Sequence, residues 1–297
     1  MERCALGARA QPISGGSPED SLVAFEELIG RRVALDRQYY RIDEEVPGPH
    51  EVWSAGGGRT PIISIATHLA SGETVPWAAI ADPDDELAAP LVDGLIARLR
   101  DFDHPIIVIF SDRPEGEDPA LYGTADDFVR AWQRVVGAAR DAGAVNATWV
   151  WGLGSGAFPT AADDWYPGDE WVDWLGVTGF NYYGDGSTPW RTFPSTFAAF
   201  REWSLAHDRP LLVVATSSDE NPYVDPGEPR SKPTWIREAL ATLDDWPEFQ
   251  GLVWFDGDEP EGEHDWRVNS TSDALEAFRE LAAAPLFDTT GELPPTR

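Results

Sequence analysis

Residues 105–112, PIIVIFSD, place five apolar side chains in a row and end on a serine and an aspartate. An apolar run of this length is typical of a strand that is buried on both faces, as the strands of parallel sheets are. Functional side chains of such sheets follow the carboxyl ends of the strands. The segment therefore predicts a parallel strand whose C-terminal end presents Ser111 and Asp112.

Seven other segments have strand-like apolar patterns, and helical patterns lie between them. The seven predicted strands are residues 3–10, 33–40, 60–68, 147–154, 174–183, 209–217 and 249–257. Two of the helices begin with capping sequences, SPED at residues 17–20 and TADD at residues 124–127. Eight strands that alternate with helices predict an α/β protein, a single (β/α)8 TIM barrel. We expect the barrel to cover residues 1–285, with residues 286–297 as a C-terminal tail.

The charge balance is strongly acidic, with 52 Asp and Glu against 22 Lys and Arg and a formal net charge of −30. Such a surface repels phosphate backbones and anionic lipids, so we expect neither a nucleic acid nor a membrane as a partner. A salt-adapted surface, as in a halophilic acidic proteome, is favoured over specific cation binding, because salt screens the self-repulsion. Lys232 is the only lysine.

Other features of the sequence limit the compartment and the chemistry. Cys4 is the only cysteine, and residues 1–12 lack the apolar core of a secretion signal. The sequence as it stands therefore predicts a cytoplasmic protein, or a secreted one if the true start lies upstream. It has no glycine-rich phosphate loop and no G-x-S-x-G elbow, and its five histidines lack close ligand spacing. We expect no cofactor and no metal, and the oligomeric state is left open.

Aromatic and polar side chains occur together at the ends of the predicted strands. Aromatic rings pack on the apolar faces of a pyranose, whereas amides, carboxylates and guanidinium groups bind its hydroxyls. This mixture favours a sugar-binding site, with an oligo- or polysaccharide as the partner. The candidate substrate-binding residues are His68, Arg113, Trp151, Asn181, Tyr182, Trp254 and Asp256. For Trp151, Tyr182 and Trp254 a place on the pocket surface is favoured, whereas Phe110, Trp149 and Phe180 fit the core equally well.

The order of these motifs resembles that of the family 26 glycoside hydrolases, the β-mannanase group. The resemblance is carried by AWQRVV at residues 131–136, GAVNATWVW at 143–151, GVTGFNY at 176–182 and GLVWF at 251–255. It covers nearly the whole chain and implies a (β/α)8 barrel that hydrolyses β-linked glycans with retention. In that mechanism one glutamate after the fourth strand is the acid/base, and another after the seventh strand is the nucleophile.

This sequence departs from the family pattern at both catalytic positions. Asp112 stands at the acid/base position, and Ala215 stands at the nucleophile position. Alanine cannot attack carbon, and Arg113 beside Asp112 favours the ionised form of that carboxyl group, which is the wrong form for a general acid. Asp219, Glu220 and Asp256 are the carboxylates that could rescue catalysis from a new position.

Three hypotheses about function follow. The first is a carbohydrate-binding pseudoenzyme, a glycoside-hydrolase-like barrel that binds β-linked glycans at its C-terminal face while hydrolysis is lost or strongly reduced. The second is an active endo-β-mannanase-like glycosidase with a relocated carboxylate pair. The third is a non-catalytic scaffold that binds another protein. The sequence does not indicate which sugar or linkage is bound.

Overall fold

The computed structural model describes residues 4–12, 15–183, 189–258 and 264–288. Eight parallel strands among these residues close into a barrel in chain order. They are β1 (Ala5–Ala10), β2 (Leu35–Arg41), β3 (Thr60–Ala66), β4 (Ile106–Phe110), β5 (Ala147–Gly154), β6 (Trp174–Asn181), β7 (Leu211–Ser218) and β8 (Phe249–Asp256). Each strand end lies within two residues of its predicted position. The predicted (β/α)8 barrel is confirmed.

At least one helix follows each strand. The helices within the described residues are α1 (Pro18–Ile29), α2 (Pro49–Gly56), α3 (Trp77–Ala81), α4 (Ala88–Asp101), α5 (Ala125–Asp141), α6 (Ala162–Trp165), α7 (Phe193–Ser204), α8 (Lys232–Asp245) and α9 (Ser272–Ala282). The short helices α2 and α3 were not predicted, whereas α6 lies at Asp163 and Asp164, which the sequence suggests as a helix start. For α2 the signal was present, since Pro49 is its first residue and the N–H of Gly48 donates to the Glu51 carboxylate at 2.8 Å.

The predicted caps are formed. The Ser17 hydroxyl accepts the N–H of Asp20 at the start of α1, and Thr124 and Asp127 form a reciprocal capping box at the start of α5. At the end of α1, Gly30 adopts a left-handed conformation with φ 75°, which glycine tolerates without steric cost. These caps satisfy backbone groups that a helix end otherwise leaves unpaired.

The chain divides into two compact units. Within the described residues, unit 1 comprises the chain up to Asp36, the segment Val177–Ala206 and the chain from Pro210 onward, and unit 2 comprises Arg37–Gly176 and His207–Arg209. Tryptophan fills the interior of each unit. In unit 1, Trp254 of β8 lies 5.9 Å from Trp235 and 4.9 Å from Phe278, measured between ring centroids. In unit 2, Trp132 of α5 lies 6.4 Å from Phe110 and 6.2 Å from Trp149. Helix stripes therefore pack on strand side chains in both units.

Most of the tryptophans belong to this interior. Eight of the 14 are at most 1% exposed. They are Trp77, Trp132, Trp149, Trp151, Trp174, Trp235, Trp254 and Trp266. The high tryptophan content therefore reflects the core more than the surface of a site.

The last described turn also packs on the barrel. Leu286 and Phe287, in a 3₁₀ turn that spans Pro285–Phe287, are buried, and Arg31 donates to the carbonyl of Ala282 at 2.6 Å. Residues 289–297 of the expected tail lie outside the described residues. In the part of the chain that the structure covers, we find no helix with the length and apolar character that crossing a bilayer requires.

Candidate functional site

The end of β4 is held in an unusual backbone conformation. Ser111 and Arg113, on either side of Asp112, have positive φ angles of 52° and 54°. Residues with a Cβ rarely adopt this left-handed region, and such strain persists where the surroundings enforce it, often at functional sites. Here the buried hydroxyl of Ser111 accepts the indole N–H of Trp77 at 3.1 Å. The strand end that carries Asp112 is therefore fixed by its own packing.

The charge partner of Asp112 comes from β2. The Nη2 atom of Arg37 lies 2.6 Å from Oδ2 of Asp112, and its Nε donates to the hydroxyl of Ser64 at 3.0 Å. The Arg37 side chain is fully buried, whereas that of Asp112 is 18% exposed. Burial by itself lowers the pKa of Arg37, but the charge of Asp112 and the nearby Tyr39 hydroxyl more than offset it, so the net shift is upward.

A second carboxyl group lies close to this pair. Glu115 follows the strand end, and its Oε1 accepts the N–H of Gly154, the last residue of β5, at 2.8 Å. Its Oε2 atom is buried without a hydrogen-bond partner. Burial raises the pKa of Glu115, and the bond from Gly154 and the charge of Arg113 reduce this shift only in part. We call Arg37, Ser64, Ser111, Asp112 and Glu115 the arginine–carboxylate cluster.

The end of β7 contains no carboxylate of its own. Ala215 is 2% exposed, and the three hydroxyl residues after it are fully buried. The hydroxyl of Thr216 donates to the carbonyl of Gly179 at 2.6 Å, and that of Ser217 donates to the carbonyl of Trp266 at 2.8 Å. These hydroxyl groups form hydrogen bonds inside unit 1. The strand end therefore offers no carboxylate and no free hydroxyl as a nucleophile.

Asp219, one residue beyond β7, contacts the imidazole of His264 through its carboxylate. Its Oδ2 atom lies 2.7 Å from Nδ1 of His264 and accepts the N–H of Tyr183, also at 2.7 Å. The His264 ring stacks on Trp266 at 4.9 Å and 17°, and the Tyr182 ring stands edge-on to His264 at 5.2 Å.

The Phe180 ring completes this group at 5.1 Å from Trp266 and 5.7 Å from Tyr182. We call Phe180, Tyr182, Asp219, His264 and Trp266 the aromatic–histidine cluster. It combines ring surfaces with a polar edge, which is the combination that a sugar requires.

Two more carboxyl groups of unit 1 have defined partners. Glu220 accepts the hydroxyls of Ser270 at 2.8 Å and Thr271 at 3.0 Å. Asp256, the last residue of β8, accepts the N–H of Val268 at 2.7 Å. Burial raises the pKa of Asp256 to about 6, against the lowering effects of the Val268 N–H and the charge of Arg267. Asp256 is therefore a carboxyl group that titrates only slightly below neutral pH.

The only lysine is buried beside these groups. The Lys232 ammonium donates to the carbonyls of Asp265 at 3.0 Å and Arg267 at 2.8 Å, and to the hydroxyl of Ser270 at 2.9 Å. Its side chain is 0% exposed. Burial lowers the pKa of Lys232, and the surrounding carboxylates, Glu220 first among them, oppose that shift. The lysine thus joins the start of α8 to the segment that carries Trp266.

Four of the seven expected substrate-binding residues are buried, and three of these, Trp151, Asn181 and Trp254, are 0% exposed. Trp151 and Trp254 are 0% exposed and donate their indole N–H groups to the carbonyls of Trp165 and Trp266. The expectation of an exposed ring is therefore wrong for both. Asn181 is also fully buried, and its amide binds the hydroxyl of Ser218 and the N–H of Arg191. Its amide is thus already paired inside the protein, which conflicts with a role in binding substrate.

The other expected residues differ in exposure. Arg113 is exposed, His68 and Tyr182 are partly exposed, and Asp256 is buried. Sequence reasoning missed Arg37, His264 and Trp266 as members of the clusters. For Arg37 a signal existed, because an arginine within a predicted buried strand needs a charged partner. Among the described residues, no three His, Cys, Asp or Glu side chains are grouped in a way that could hold a metal ion.

Solved structures of glycosidases share this fold. The family 26 β-mannanase of Bacteroides ovatus superposes with a TM-score of 0.70 at 13% identity, over 99% of this chain and 92% of that chain. A modular endo-β-1,4-mannanase of Cellulomonas fimi gives 0.69 at 18% identity, over 100% and 75%. The chain therefore shares the (β/α)8 fold of these solved structures. In particular, its fold is that of the family 26 β-mannanases, and the resemblance seen in the sequence is confirmed.

Two curated relatives, an endoglucanase and a β-1,3-xylanase, also match the chain. Endoglucanase H of Acetivibrio thermocellus is 28% identical over 169 residues, which is 54% of this chain and 17% of that protein. The β-1,3-xylanase TXYA of a Vibrio species is 24% identical over 221 residues, which is 72% of this chain and 46% of that protein. The chain thus spans less than half the length of these relatives. No protein-family model matches the chain.

Proposed function

We propose that this protein is a β-glycan-binding barrel in which retaining hydrolysis has been lost or strongly reduced. The observation that carries the proposal is Ala215, a buried methyl group at the position where the family resemblance implies the nucleophile. A retaining glycosidase must form a covalent ester between the sugar and a carboxylate. A methyl group can form no such ester and cannot stabilise a developing cation.

The acid/base position supports the same proposal. Asp112 is engaged by the buried guanidinium of Arg37, whose Nη2 lies 2.6 Å from its Oδ2. A general acid must instead carry a proton to the leaving oxygen. The observed pair therefore suits a group that binds hydroxyls more than one that donates a proton.

The relatives suggest which ligands to test. Their names describe enzymes that act on β-1,4-mannan, β-1,3-xylan and, for the endoglucanase, glucan. In the aromatic–histidine cluster, the partly exposed ring of Tyr182 can contact the apolar face of such a sugar. Within unit 2, considered by itself, the exposed Arg113, the partly exposed His68 and the accessible part of Asp112 are polar groups that can bind hydroxyls.

A hydrolysis assay tests the lost reaction. We expect at most a trace of sugar release from β-mannan or aryl β-mannosides, because each tenfold loss of rate corresponds to about 1.4 kcal/mol of barrier and a missing nucleophile costs several such factors. Ala215→Glu combined with Asp112→Glu should raise activity above the parent. Strong parental activity that disappears in Glu220→Gln or Asp256→Asn would instead assign the reaction to a relocated carboxylate.

A binding assay tests the retained function. Affinity electrophoresis through gels that contain β-1,4-mannan, β-1,3-xylan or β-glucan should retard the parent on at least one polysaccharide. Tyr182→Ala should weaken that binding by about tenfold, since the ring contact is removed, whereas Tyr182→Phe keeps the ring and should bind nearly as well. Equal migration of the parent with and without all three polysaccharides would overturn the proposal.

A second candidate function, hydrolysis by a relocated carboxylate pair, is favoured by one observation. Asp256, one of the carboxylates that could have taken over the reaction, is buried at the end of β8, and burial raises its pKa to about 6. Raised pKa values are common in general acids, because the group must hold a proton at working pH. The hydrolysis assay with Asp256→Asn, and with Glu115→Gln as a second variant, decides between the two candidate functions. Parental activity that disappears in Asp256→Asn would favour the relocated carboxylate.

A further inference from the structure

We propose that His264, oriented by Asp219, is a sugar-binding residue whose Nε2 atom accepts a hydrogen bond from a hydroxyl of the bound glycan. The proposal rests on the proposed function and deepens it, because it names a polar contact that the resemblance does not supply. It places one end of the glycan site on the segment after β8, against the end of β7.

The carboxylate of Asp219 fixes the state of the imidazole. With Oδ2 of Asp219 2.7 Å from Nδ1, the hydrogen of a neutral ring lies on Nδ1, because a carboxylate can only accept. The other ring nitrogen, Nε2, is then the acceptor. Asp219 itself is rigid, since its side chain is 5% exposed, its Oδ2 accepts the N–H of Tyr183, and its own N–H donates to Asn181.

Aromatic neighbours fix the plane of the same ring. Trp266 lies parallel to the imidazole at 17°, and Tyr182 stands at 77° to it. A ring with one face stacked and one nitrogen held cannot turn freely, so the direction of Nε2 is set before any ligand arrives. Preorganised donors and acceptors bind with a smaller loss of conformational entropy.

The imidazole also reaches solvent. The His264 side chain is 16% exposed, and Nε2 has no hydrogen-bond partner among the described residues. A buried histidine that only joined two segments would use both nitrogens inside the protein. The partly exposed Tyr182 ring beside it supplies apolar surface, so a pyranose can place a C–H face on the tyrosine and a hydroxyl on Nε2.

Binding measurements with matched variants test the role of His264. His264→Phe keeps a ring on Trp266 but removes both nitrogens, and His264→Gln keeps a polar group without the ring. On the polysaccharide that retards the parent most, both variants should bind roughly five- to tenfold more weakly, the size expected for one lost hydrogen bond. His104→Gln is the control, because His104 is an exposed histidine before β4, and it should bind like the parent.

Histidine ¹⁵N spectra give an independent measurement. The His264 signals, identified by their loss in His264→Gln, should show hydrogen on Nδ1, and the Nε2 signal should move when a soluble β-linked oligosaccharide is added. Asp219→Asn should change the proportion of the two neutral forms. A parent that binds glycan while both His264 variants bind equally well would overturn this inference alone. A parent that binds none of the three polysaccharides would overturn it together with the proposed function.

Discussion

The arginine–carboxylate cluster of unit 2 and the aromatic–histidine cluster of unit 1 are built on different principles. In the first, a carboxylate remains on the strand end and a buried arginine neutralises it. In the second, the strand end carries no carboxylate, and Asp219, the next acidic residue, contacts an imidazole that lies among aromatic rings. Charge pairing thus organises one cluster and ring packing the other. Variants that remove charge should therefore damage the first cluster far more than the second.

The largest expected effect comes from the buried ion pair. Arg37→Met leaves the Asp112 carboxylate without its partner, so the free energy of unfolding should fall by about 3–5 kcal/mol. Urea denaturation measures this loss. The double variant Arg37→Met with Asp112→Leu removes both charges and should recover most of it. If the double variant were as unstable as Arg37→Met, lost packing rather than unpaired charge would explain the loss.

A smaller effect concerns pH and Asp256. Its pKa in the folded protein, about 6, lies above the ordinary aspartate value of 3.8, so the folded state binds this proton more tightly than the unfolded state does. The resulting contribution to the free energy of unfolding is fully present below about pH 4 and is lost as the pH rises through 6. At about 1.4 kcal/mol per pKa unit, the total loss is about 3 kcal/mol. Asp256→Asn keeps an oxygen that can accept the Val268 N–H but has no titrating proton. Its free energy of unfolding should therefore not fall in this way as the pH rises.

The measurement is urea denaturation of parent and variant between pH 4 and pH 7.5. The advantage of the parent over Asp256→Asn should shrink steadily across this range, so that the variant is the more stable protein at pH 7. Asp93→Asn is the control, because that aspartate is 72% exposed, and its difference from the parent should stay nearly constant. A constant difference for Asp256→Asn as well would contradict the pKa shift.

The smallest effect concerns the surface. With a formal charge of −30, the folded protein repels itself at low ionic strength, and salt screens exposed charges far better than buried ones. Between dilute buffer and 2 M NaCl we expect stabilisation on the order of 1 kcal/mol, or about 2–4 °C in Tm for a chain of this size. The stability cost of Arg37→Met should not change with salt. A melting temperature that is the same in dilute buffer and in 2 M NaCl would count against the salt-adapted interpretation.

Sequence patterns predicted the barrel because each strand is a local signal. The five apolar residues of β4 and the capping residue Thr124 needed no knowledge of distant contacts. The same patterns misplaced Trp151 and Trp254, because both faces of a parallel barrel strand are covered and position at a strand end does not imply exposure.

The clusters were harder to predict, since their members are distant in the chain. Arg37 meets Asp112 across 75 residues, and Asp219 meets His264 across 45. No local spacing joins such pairs. The position of Asp112 at a strand end was predictable, but its partner Arg37 belongs to a strand that is distant in the sequence.

The burial of Lys232 has a consequence for handling the protein. It is the only lysine, and its amine is enclosed and fully hydrogen-bonded, so amine-reactive dyes and crosslinkers find no side-chain target on the folded chain. Covalent tagging of that amine requires the start of α8 to separate from the segment that carries Trp266. The rate of lysine modification, measured by mass spectrometry at this single residue, therefore reports how often unit 1 opens locally.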